Sequence, residues 1–364
     1  MIRPLMFIAM ALSSIGCGAL ASRHRAAPPP APAVASTVAP APFVEVAVTV
    51  DDLPVHGPPP SDGDRLRMVG RMLDAFHRHA VPHVYGFVNG AKTAGDVALP
   101  ESAGAWAVLR SWVAAGHPVG NHTWTHVNLL KVPLPDYLAD LEKNEPLLER
   151  LHAEAGDRLR GLPWRVFRYP YLFEGDTLQK HHAVRTYLRE HGYQIAEVSI
   201  DAEDWAFNPP FARCTASRDQ QALAQLHDRY VSVHVHELRR MREMTRLLAG
   251  REVRHVLLLH AGVADADALD DLLTAYEKEG VRWIDLGTAL ADPFYAQDPA
   301  QPARFGAAFP YLVARARQVP FPPSEVMRDL DRSLAAICSD SPAPRVSSSA
   351  ALTAPPQPPT SSAP

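Results

Sequence analysis

The run Val46-Ala-Val-Thr-Val-Asp51-Asp52 is a short apolar segment of strand-forming residues that ends in two adjacent carboxylates. Later in the chain, His122-Thr-Trp-Thr-His126 carries two histidines with the spacing of one helical turn. One carboxylate and two imidazoles can hold a divalent metal and leave positions open for water and substrate. Each motif alone is a weak signal, because Asp is common in turns and histidine pairs often only cap a helix. Together they predict a catalytic metal site.

Strand-like and helix-like patterns alternate over residues 43–295. The strand-like runs are Val44–Val50, His83–Val88, Pro118–Asn121, Val166–Tyr169, Gln194–Ile200, Val256–His260 and Val281–Ile284. The helix-like patterns are Asp64–His79, Ala103–Ala115, Pro135–Ala155, Thr177–His191, Gln220–Leu248 and Asp265–Glu279. This alternation predicts an α/β fold, most simply a distorted, incomplete (β/α) barrel of about seven parallel strands. An open doubly wound sheet is the alternative, although no glycine-rich phosphate loop follows the first strand.

The polar residues of interest lie at or just beyond the C-terminal ends of predicted strands. They are Asp51, Asp52, His122, Arg168, Asp201, Asp204 and His260. In a parallel barrel these strand ends form one face of the molecule, and barrel active sites lie on that face. This shared placement is the main argument from the residues for an enzyme.

The candidate metal ligands are Asp52, His122 and His126. An i, i+4 spacing places two rings on one side of a helical turn, about 5–6 Å apart at Cβ. Asp52 supplies the anionic ligand. Asp51 should project differently from Asp52, and an unligated carboxylate beside a cation stays ionised, so Asp51 is the candidate general base for a metal-bound water.

His260 ends the apolar run Val256-Leu-Leu-Leu-His260 and is the candidate general acid for a leaving group. Arg168, in Phe167-Arg-Tyr-Pro-Tyr171, is expected to pair with a carboxylate, and Pro170 fixes the turn.

Other histidines receive no role. His234 and His236 lie in a stretch with helical spacing, and residues two apart on a helix point about 200° apart, too far to share a metal. The remaining pairs, assigned to polar helix faces, are His181 with His182 and His77 with His79.

Five motifs, in order, resemble those of the polysaccharide deacetylases of carbohydrate esterase family 4, the NodB homology group. They are Thr49-Val-Asp51-Asp52, His122-Thr-Trp-Thr-His126, Arg168-Tyr-Pro170-Tyr171, Asp201-Ala-Glu-Asp204-Trp205 and Leu258-Leu-His260. The resemblance covers roughly residues 43–295. It implies a distorted (β/α) barrel that removes acetyl groups from a glycan with the help of a divalent metal, usually zinc.

The resemblance also implies individual roles. Asp51 would be the general base, and Asp52, His122 and His126 would hold the metal. The backbone N–H of Tyr171 would help to stabilise the oxyanion, and Arg168 would orient Asp51. Asp204 would tune His260, the general acid, and Trp205 and Leu258 would line the pocket for the acetyl methyl group.

The chain departs from the family pattern in three places. Val50 replaces the usual Phe, Leu53-Pro54-Val-His56-Gly57 replaces the common Gly-Pro, and the long segment Gln220–Leu248 separates the fourth and fifth motifs. These departures spare every proposed catalytic group but reshape the cleft rim. The expected activity is therefore hydrolysis of N-acetyl groups, most simply on N-acetylglucosamine units of a polymer or oligomer, while the glycan itself stays open.

Three other functions remain in view. The first is an O-acetyl esterase acting on an acetylated glycan. The second is a non-catalytic glycan-binding protein on the same barrel, which would be expected to lose Asp51 or His260. The third is a non-haem iron oxygenase, which also uses two histidines and a carboxylate, but its sites usually lie on antiparallel folds.

The chain termini have different compositions. Residues 1–21 read as an export signal, with signal-peptidase cleavage after Ala21 or lipidation of Cys17 as competing outcomes. An Ala/Pro-rich linker at 22–42 precedes the predicted catalytic domain at 43–295. A helical extension at 296–338 and a disordered Ser/Pro-rich tail at 339–364 follow it. Export to the periplasm, to the outer membrane as a lipoprotein or to the outside of the cell is expected.

Charge and cysteine content limit the partners. A net charge of −4 over 364 residues with no basic stripe argues against nucleic acid. The expected partner is an acetylated glycan substrate, with a membrane tether if Cys17 is lipidated, and the protein is expected to be a monomer. Cys214 and Cys338 can either form a disulfide or remain buried thiols.

Overall fold

The longest strand, β1 (Val44–Leu53), occupies the middle of the sheet, and each strand that pairs with it runs parallel to it. The computed structural model describes residues 43–57, 62–93, 103–302, 305–321 and 324–339. All residues of β1 except Glu45 are buried. Six of its ten residues are apolar and lie on both faces of the strand, as expected for a parallel strand covered on both sides.

The other strands are β2 (Tyr85–Val88), β3 (Val119–Asn121), β4 (Val166–Phe167), β5 (Gln194–Ile195), β6 (Ile200–Asp201), β7 (His255–His260) and β8 (Val281–Trp283). The eight-stranded sheet has the order β5-β4-β3-β2-β1-β7-β6, and β8 pairs with β1. All these pairings are parallel. The strands at the two ends of this order, β5 and β6, are not paired with each other among the described residues, so the barrel is incomplete. This confirms the predicted fold class.

The predicted single strand Gln194–Ile200 is wrong, because this segment forms two short strands, β5 and β6. Ile195 pairs with Phe167 of β4, whereas Ile200 pairs with Leu257 of β7. β4 and β7 lie toward opposite edges of the sheet. The two halves of the run therefore have different neighbours, and the chain crosses the opening of the barrel between them.

Helices alternate with the strands close to the predicted bounds. They are α1 (Asp62–Arg78), α2 (Ala103–Ala114), α3 (Leu134–Ala155), α4 (Leu178–Glu190), α5 (Asn208–Ser217), α6 (Gln220–Ala249), α7 (Val263–Lys278), α8 (Leu286–Leu290), α9 (Phe309–Ala316), α10 (Glu325–Arg328) and α11 (Leu330–Ala335). On α1, Val69, Met72 and Phe76 follow helical spacing and are fully buried in the main core. This face fixes α1 against the sheet and leaves the strand ends free for the site.

A disulfide joins Cys214 on α5 to Cys338 beyond α11. It closes a loop across 124 residues, and such a cross-link typically contributes about 2–4 kcal/mol to the free energy of unfolding. The C-terminal extension is thereby tied to the barrel.

Within the described ranges, none of the helices has the length and hydropathy needed to cross a bilayer. The predicted export signal, Cys17, the Ala/Pro-rich linker and nearly all of the Ser/Pro-rich tail lie outside the described residues.

Candidate active site

Two adjacent carboxylates of β1 line the same pocket, although neighbouring strand residues normally point to opposite faces. The pairing of β1 with β2 is irregular between Val50 and Leu53, and Asp52 there has a positive φ of 68°. A β-bulge of this kind re-aims a side chain next to a functional site. This local distortion is why Asp51 and Asp52 both reach the pocket.

The two histidines follow β3 in a loop, so the helical turn expected for them is wrong. Thr123 and His126 have positive φ values of 62° and 57°. Partners outside the segment replace helical hydrogen bonds: Asn121 Oδ1 accepts from the Thr123 N–H at 2.9 Å, and the Asp140 carbonyl accepts from the Trp124 N–H at 3.0 Å. The rings of His122 and His126 nevertheless have centroids 4.9 Å apart.

The three predicted metal ligands converge on one point. Asp52 Oδ1 lies 3.5 Å from His126 Nε2 and 3.8 Å from His122 Nε2. This oxygen is buried and accepts no hydrogen bond from the part of the chain that the structure describes. His122 Nδ1–H donates to the Arg168 carbonyl at 2.9 Å, which leaves the Nε2 lone pair facing Asp52.

Protonation states also suit a cation at this point. Burial lowers the pKa of His122 well below its ordinary value and lowers the pKa of His126 to about 4. Both imidazoles are therefore neutral and able to donate a lone pair. Because the buried Asp52 carboxylate faces two neutral imidazoles and the three ligand atoms lie within 4.8 Å of one another, the residues present fit a divalent metal.

Two further residues hold Asp52, and sequence reasoning gave them no role. His56 Nδ1–H donates to Asp52 Oδ2 at 2.7 Å, and Lys92 Nζ lies 3.4 Å from Asp52 Oδ1. Lys92 also donates to the carbonyls of Asp52 and Val55, both at 3.1 Å. Burial raises the pKa of Asp52, but the Lys92 charge and the His56 hydrogen bond outweigh it and hold this pKa well below its usual range. Lys92 follows β2, so extending the strand-end argument to that strand could have found it.

Asp51 is paired with a buried arginine. Arg168 Nη1 lies 3.1 Å from Asp51 Oδ1 and 3.3 Å from Oδ2. The guanidinium is fixed by the Ala196 carbonyl at 2.6 Å and by Thr49 Oγ1 at 3.0 Å. Burial raises the pKa of Asp51 to about 6, and the Arg168 charge opposes that rise. Asp51 is thus ionised at neutral pH, and its pKa lies close enough to that pH for it to accept a proton.

A histidine–carboxylate pair lies on another wall of the pocket. His260 Nδ1–H donates to Asp204 Oδ1 at 2.8 Å, and the His260 backbone N–H donates to Oδ2 at 2.6 Å. Burial lowers the pKa of His260, but the buried Asp204 carboxylate outweighs it and raises this pKa to about 10. His260 is therefore an imidazolium at neutral pH, with Nε2 as its remaining N–H.

Behind Asp204 lies a second buried carboxyl group that sequence reasoning missed. Tyr230 Oη–H donates to Asp265 Oδ1 at 2.6 Å. Burial and the neighbouring Asp204 charge raise the pKa of Asp265 well above its ordinary value. Asp265 is therefore the protonated member of this carboxyl pair and Asp204 the ionised one.

The histidines assigned no role lie away from the pocket. His234 and His236 are on α6, as predicted. The placement of His181 on a polar helix face is wrong: this ring is buried, and its Nε2 lies 2.7 Å from Asp298 Oδ1. The reason is a tertiary contact with the segment after α8, which helical periodicity does not show.

The pocket has a cavity volume of about 320 Å³. Its lining residues are Asp51, Asp52, His56, His122, His126, Tyr171, Leu172, Asp201, Glu203, Trp205, Leu258 and His260. Eight of the ten predicted site residues are among them, and Arg168 and Asp204 lie directly behind. Trp205 is 40% exposed and Leu258 only 4%, so one apolar wall is open and the other closed.

The fold and this pocket together define a parallel half-barrel protein with a candidate metal centre at its strand ends. Residues 40–196 match the family model described as polysaccharide deacetylase. This match confirms, over residues 40–196, the resemblance to that family drawn from the motifs. The fourth and fifth motifs lie beyond the matched stretch, yet their residues line or support the same pocket.

Known proteins similar to the chain carry related descriptions. A peptidoglycan-N-acetylglucosamine deacetylase of Bacillus cereus is 28% identical over 162 residues, which are 44% of this chain and 46% of that protein. The alignment thus spans about half the length of this curated relative. Among solved structures, the peptidoglycan deacetylase PdaC from Bacillus subtilis is 18% identical with a TM-score of 0.42, covering 68% of this chain and 90% of that one. A CE4 family pseudoenzyme from Bacillus anthracis is 16% identical with a TM-score of 0.43, covering 68% and 66%.

Proposed function

We propose that the protein is a metal-dependent carbohydrate deacetylase that hydrolyses N-acetyl groups, most directly those of N-acetylglucosamine units. The observation that carries this proposal is the arrangement in one pocket of three parts. They are the Asp52, His122 and His126 ligand set, the Asp51–Arg168 pair and the His260–Asp204 pair. The match of residues 40–196 to the polysaccharide deacetylase family model supports it.

Asp52, His122 and His126 would hold the metal, and zinc suits a site of two imidazoles and one carboxylate. A bound divalent ion lowers the pKa of a water ligand and polarises a carbonyl. Asp51 then removes a proton from the attacking water, and Arg168 keeps both oxygens of Asp51 in place. The water oxygen bonds to the acetyl carbon.

The remaining steps use the other walls of the pocket. The Tyr171 N–H stabilises the negative charge that develops on the carbonyl oxygen. His260 donates its Nε2 proton to the sugar nitrogen as the carbon–nitrogen bond breaks, which yields acetate and a free amine. Asp204 keeps His260 protonated and correctly oriented. An amine leaves only with a proton, so the His260–Asp204 pair favours N-acetyl over O-acetyl substrates.

The charge states fit this division of roles. The base must be ionised and the acid protonated at the same time. The pKa of Asp51 is raised to about 6 by burial, against the opposing charge of Arg168, and the pKa of His260 is raised to about 10 by Asp204 against burial. Both groups are in the required state between these values, a range that includes neutral pH.

The test is acetate release from a panel of glycans with and without a chelator. Peptidoglycan is the first substrate to try because the curated relative carries that name. Chitin oligomers and an exported polysaccharide carrying N-acetyl groups follow, and acetylated xylan reports O-deacetylation. We expect chelator-sensitive release from an N-acetylated glycan and recovery when zinc is restored. Glycan binding without acetate release at full metal occupancy would instead indicate a non-catalytic protein, and oxidised products would indicate an iron oxygenase.

Export is a separate proposal, supported by Arg3 and the apolar run Leu5–Leu12 before Cys17 and Ala21. We propose that the protein acts in the periplasm, at the outer membrane as a lipoprotein or outside the cell, where cell-wall and environmental glycans lie. Fractionation of cells expressing the full chain tests this, with Cys17→Ser as the variant that removes the lipidation site. Wild type that stays in the cytosolic fraction would be incompatible with export.

A further inference from the structure

The loop that carries Tyr171 has an unfavourable backbone conformation. Tyr171 and Leu172 follow one another with positive φ values of 59° and 52°. Bulky side chains rarely adopt this left-handed region, and such residues persist only where their surroundings hold them. Both residues line the pocket. Another part of the structure must therefore contact this loop and hold it in the left-handed conformation.

That element comes from the C-terminal part of the chain, beyond the stretch matched by the family model. A Cβ added to Gly306 would overlap the carbonyl oxygen of Tyr171, and it would lie 2.7 Å from the Tyr171 carbonyl carbon and 2.9 Å from that of Leu172. These neighbours are backbone atoms, which cannot swing aside as a flexible side chain does. The backbone at Gly306 thus lies directly against the loop.

The residues after Gly306 are anchored in the pocket wall. The Phe309 N–H donates to the Val198 carbonyl at 2.7 Å. Ala308 is buried in a small apolar cluster with Val198 and Leu258, and Leu172 packs against the same cluster. Leu258 is itself a lining residue of the pocket. The segment 305–309 is therefore fixed to the barrel on one side and contacts the Tyr171 loop on the other.

We propose that Gly306 is a positioning residue, because its missing side chain lets the segment 305–309 hold the Tyr171–Leu172 loop in its left-handed conformation. The orientation of the Tyr171 N–H follows from that conformation. The use of this N–H in catalysis rests on the proposed function, whereas the contact itself does not. A site built from the family-matched residues alone would lack this support.

Gly306→Ala tests the contact by adding one methyl group. The φ of Gly306 lies outside the left-handed range, so alanine itself is conformationally acceptable there and the effect comes from the clash. Gly70→Ala on α1 is the matched control, because a Cβ added there meets nothing within 4 Å. Both proteins are expected to fold and to bind zinc as wild type does. The thermal unfolding midpoint should fall in Gly306→Ala, because the loop must shift to admit the methyl group, and should stay the same or rise in Gly70→Ala, because alanine favours a helix.

The first readout is the Tyr171 backbone amide resonance in protein labelled with ¹⁵N-tyrosine, assigned by its loss in Tyr171→Phe. We expect Gly306→Ala to shift this resonance more than that of any other tyrosine, and Gly70→Ala to leave it in place. An unmoved Tyr171 resonance overturns the proposal. This readout needs no substrate, so it separates failure of the contact from failure of the proposed function.

The second readout is steady-state kinetics on whichever glycan turns over. Removal of one oxyanion donor costs about 10²–10³ in kcat, so a displaced donor in Gly306→Ala should lower kcat by about tenfold or more. KM should change little, and the Gly70→Ala control should match wild type. A shifted resonance with unchanged kcat would show that the contact has no positioning role.

A second pair of variants tests the segment without a clash. Phe305 is 71% exposed, so its replacement removes little packing. Phe305→Gly loosens the backbone next to Gly306, whereas Phe305→Ala does not. Faster hydrogen exchange of the Tyr171 amide in Phe305→Gly than in Phe305→Ala supports the proposal, and equal exchange contradicts it.

Discussion

Histidines in the same pocket have opposite electrostatic environments. The hydrogen-bond partner of His122 is the backbone carbonyl of Arg168, and burial then drives its pKa down. The partner of His260 is the buried Asp204 carboxylate, which outweighs burial and drives the pKa up to about 10. The partner of each ring thus decides whether that ring can serve as a neutral ligand or as a charged acid. One pocket can therefore hold a cation on one side and donate a proton on the other.

The largest effect is expected when one of the two neutral imidazoles proposed as metal ligands is removed. His126→Ala should lose more than about 10² in metal affinity, since even residues that only orient ligands cost about 10–100-fold. Most activity should be lost with it, while the barrel stays folded. His182→Ala, an exposed histidine on α4, is the control and should keep both. Full metal stoichiometry and turnover in His126→Ala would show that the ligand assignment is wrong.

Substitution of the two adjacent aspartates should have different effects on metal affinity and on kcat. Asp51→Asn removes the proposed base but none of the proposed ligands, so metal should remain while kcat falls by about 10²–10⁴. Asp52→Asn should instead weaken metal affinity, because Oδ1 faces both imidazoles. Metal analysis and kinetics on both variants make the comparison. Equal loss of metal in Asp51→Asn and Asp52→Asn would contradict the assignment of one aspartate as base and the other as ligand.

The His260–Asp204 pair should determine how the rate depends on pH. As the proposed general acid, His260 must be protonated, so the alkaline limb of kcat/KM should follow its pKa, which Asp204 raises against the effect of burial. Asp204→Asn removes the charge that favours the imidazolium, so the limb should move to lower pH. The maximal rate should fall by roughly 10²-fold, the lower end of general-acid effects, with unchanged metal content. A pH–rate profile of both proteins is the measurement, and an unmoved limb would mean that Asp204 does not tune the acid.

The smallest expected effect concerns His56, whose Nδ1 lies 2.7 Å from Asp52 Oδ2. His56→Ala should weaken metal affinity by about tenfold, as is usual for residues that orient a ligand. Restoration by His56→Gln, which can donate an equivalent hydrogen bond, would separate this role from packing. Metal titration of the three proteins is sufficient. Unchanged metal affinity in His56→Ala would show that His56 does not help to orient Asp52.

The sequence predicted those features that depend on local pattern and on the geometry of parallel strands. Strand ends share one face of a barrel, so Asp51, His122 and His260 can be grouped from their positions in the sequence pattern alone. Their roles stay predictions until the variants are measured.

Other features depend on contacts between distant segments, which periodicity does not encode. The histidine loop has no helix because Asn121 and Asp140 take over its hydrogen bonds. Lys92 reaches Asp52 from the end of β2, and Gly306 reaches Tyr171 from the C-terminal extension. The position of Lys92 shortly after β2 is a signal that the strand-end argument could have used, whereas nothing in the local sequence around Gly306 indicates its contact.

The central claim is that acetyl hydrolysis depends on one metal held by Asp52, His122 and His126. The most direct measurement is acetate release as zinc is titrated into metal-free protein, with occupancy measured on the same samples. We predict no release from the metal-free protein and a rise in proportion to occupancy that ends at about one zinc per chain, the number expected of a three-ligand catalytic site. Release that continues after complete metal removal, or a fully loaded protein that releases no acetate from any N-acetylated glycan, would contradict the account.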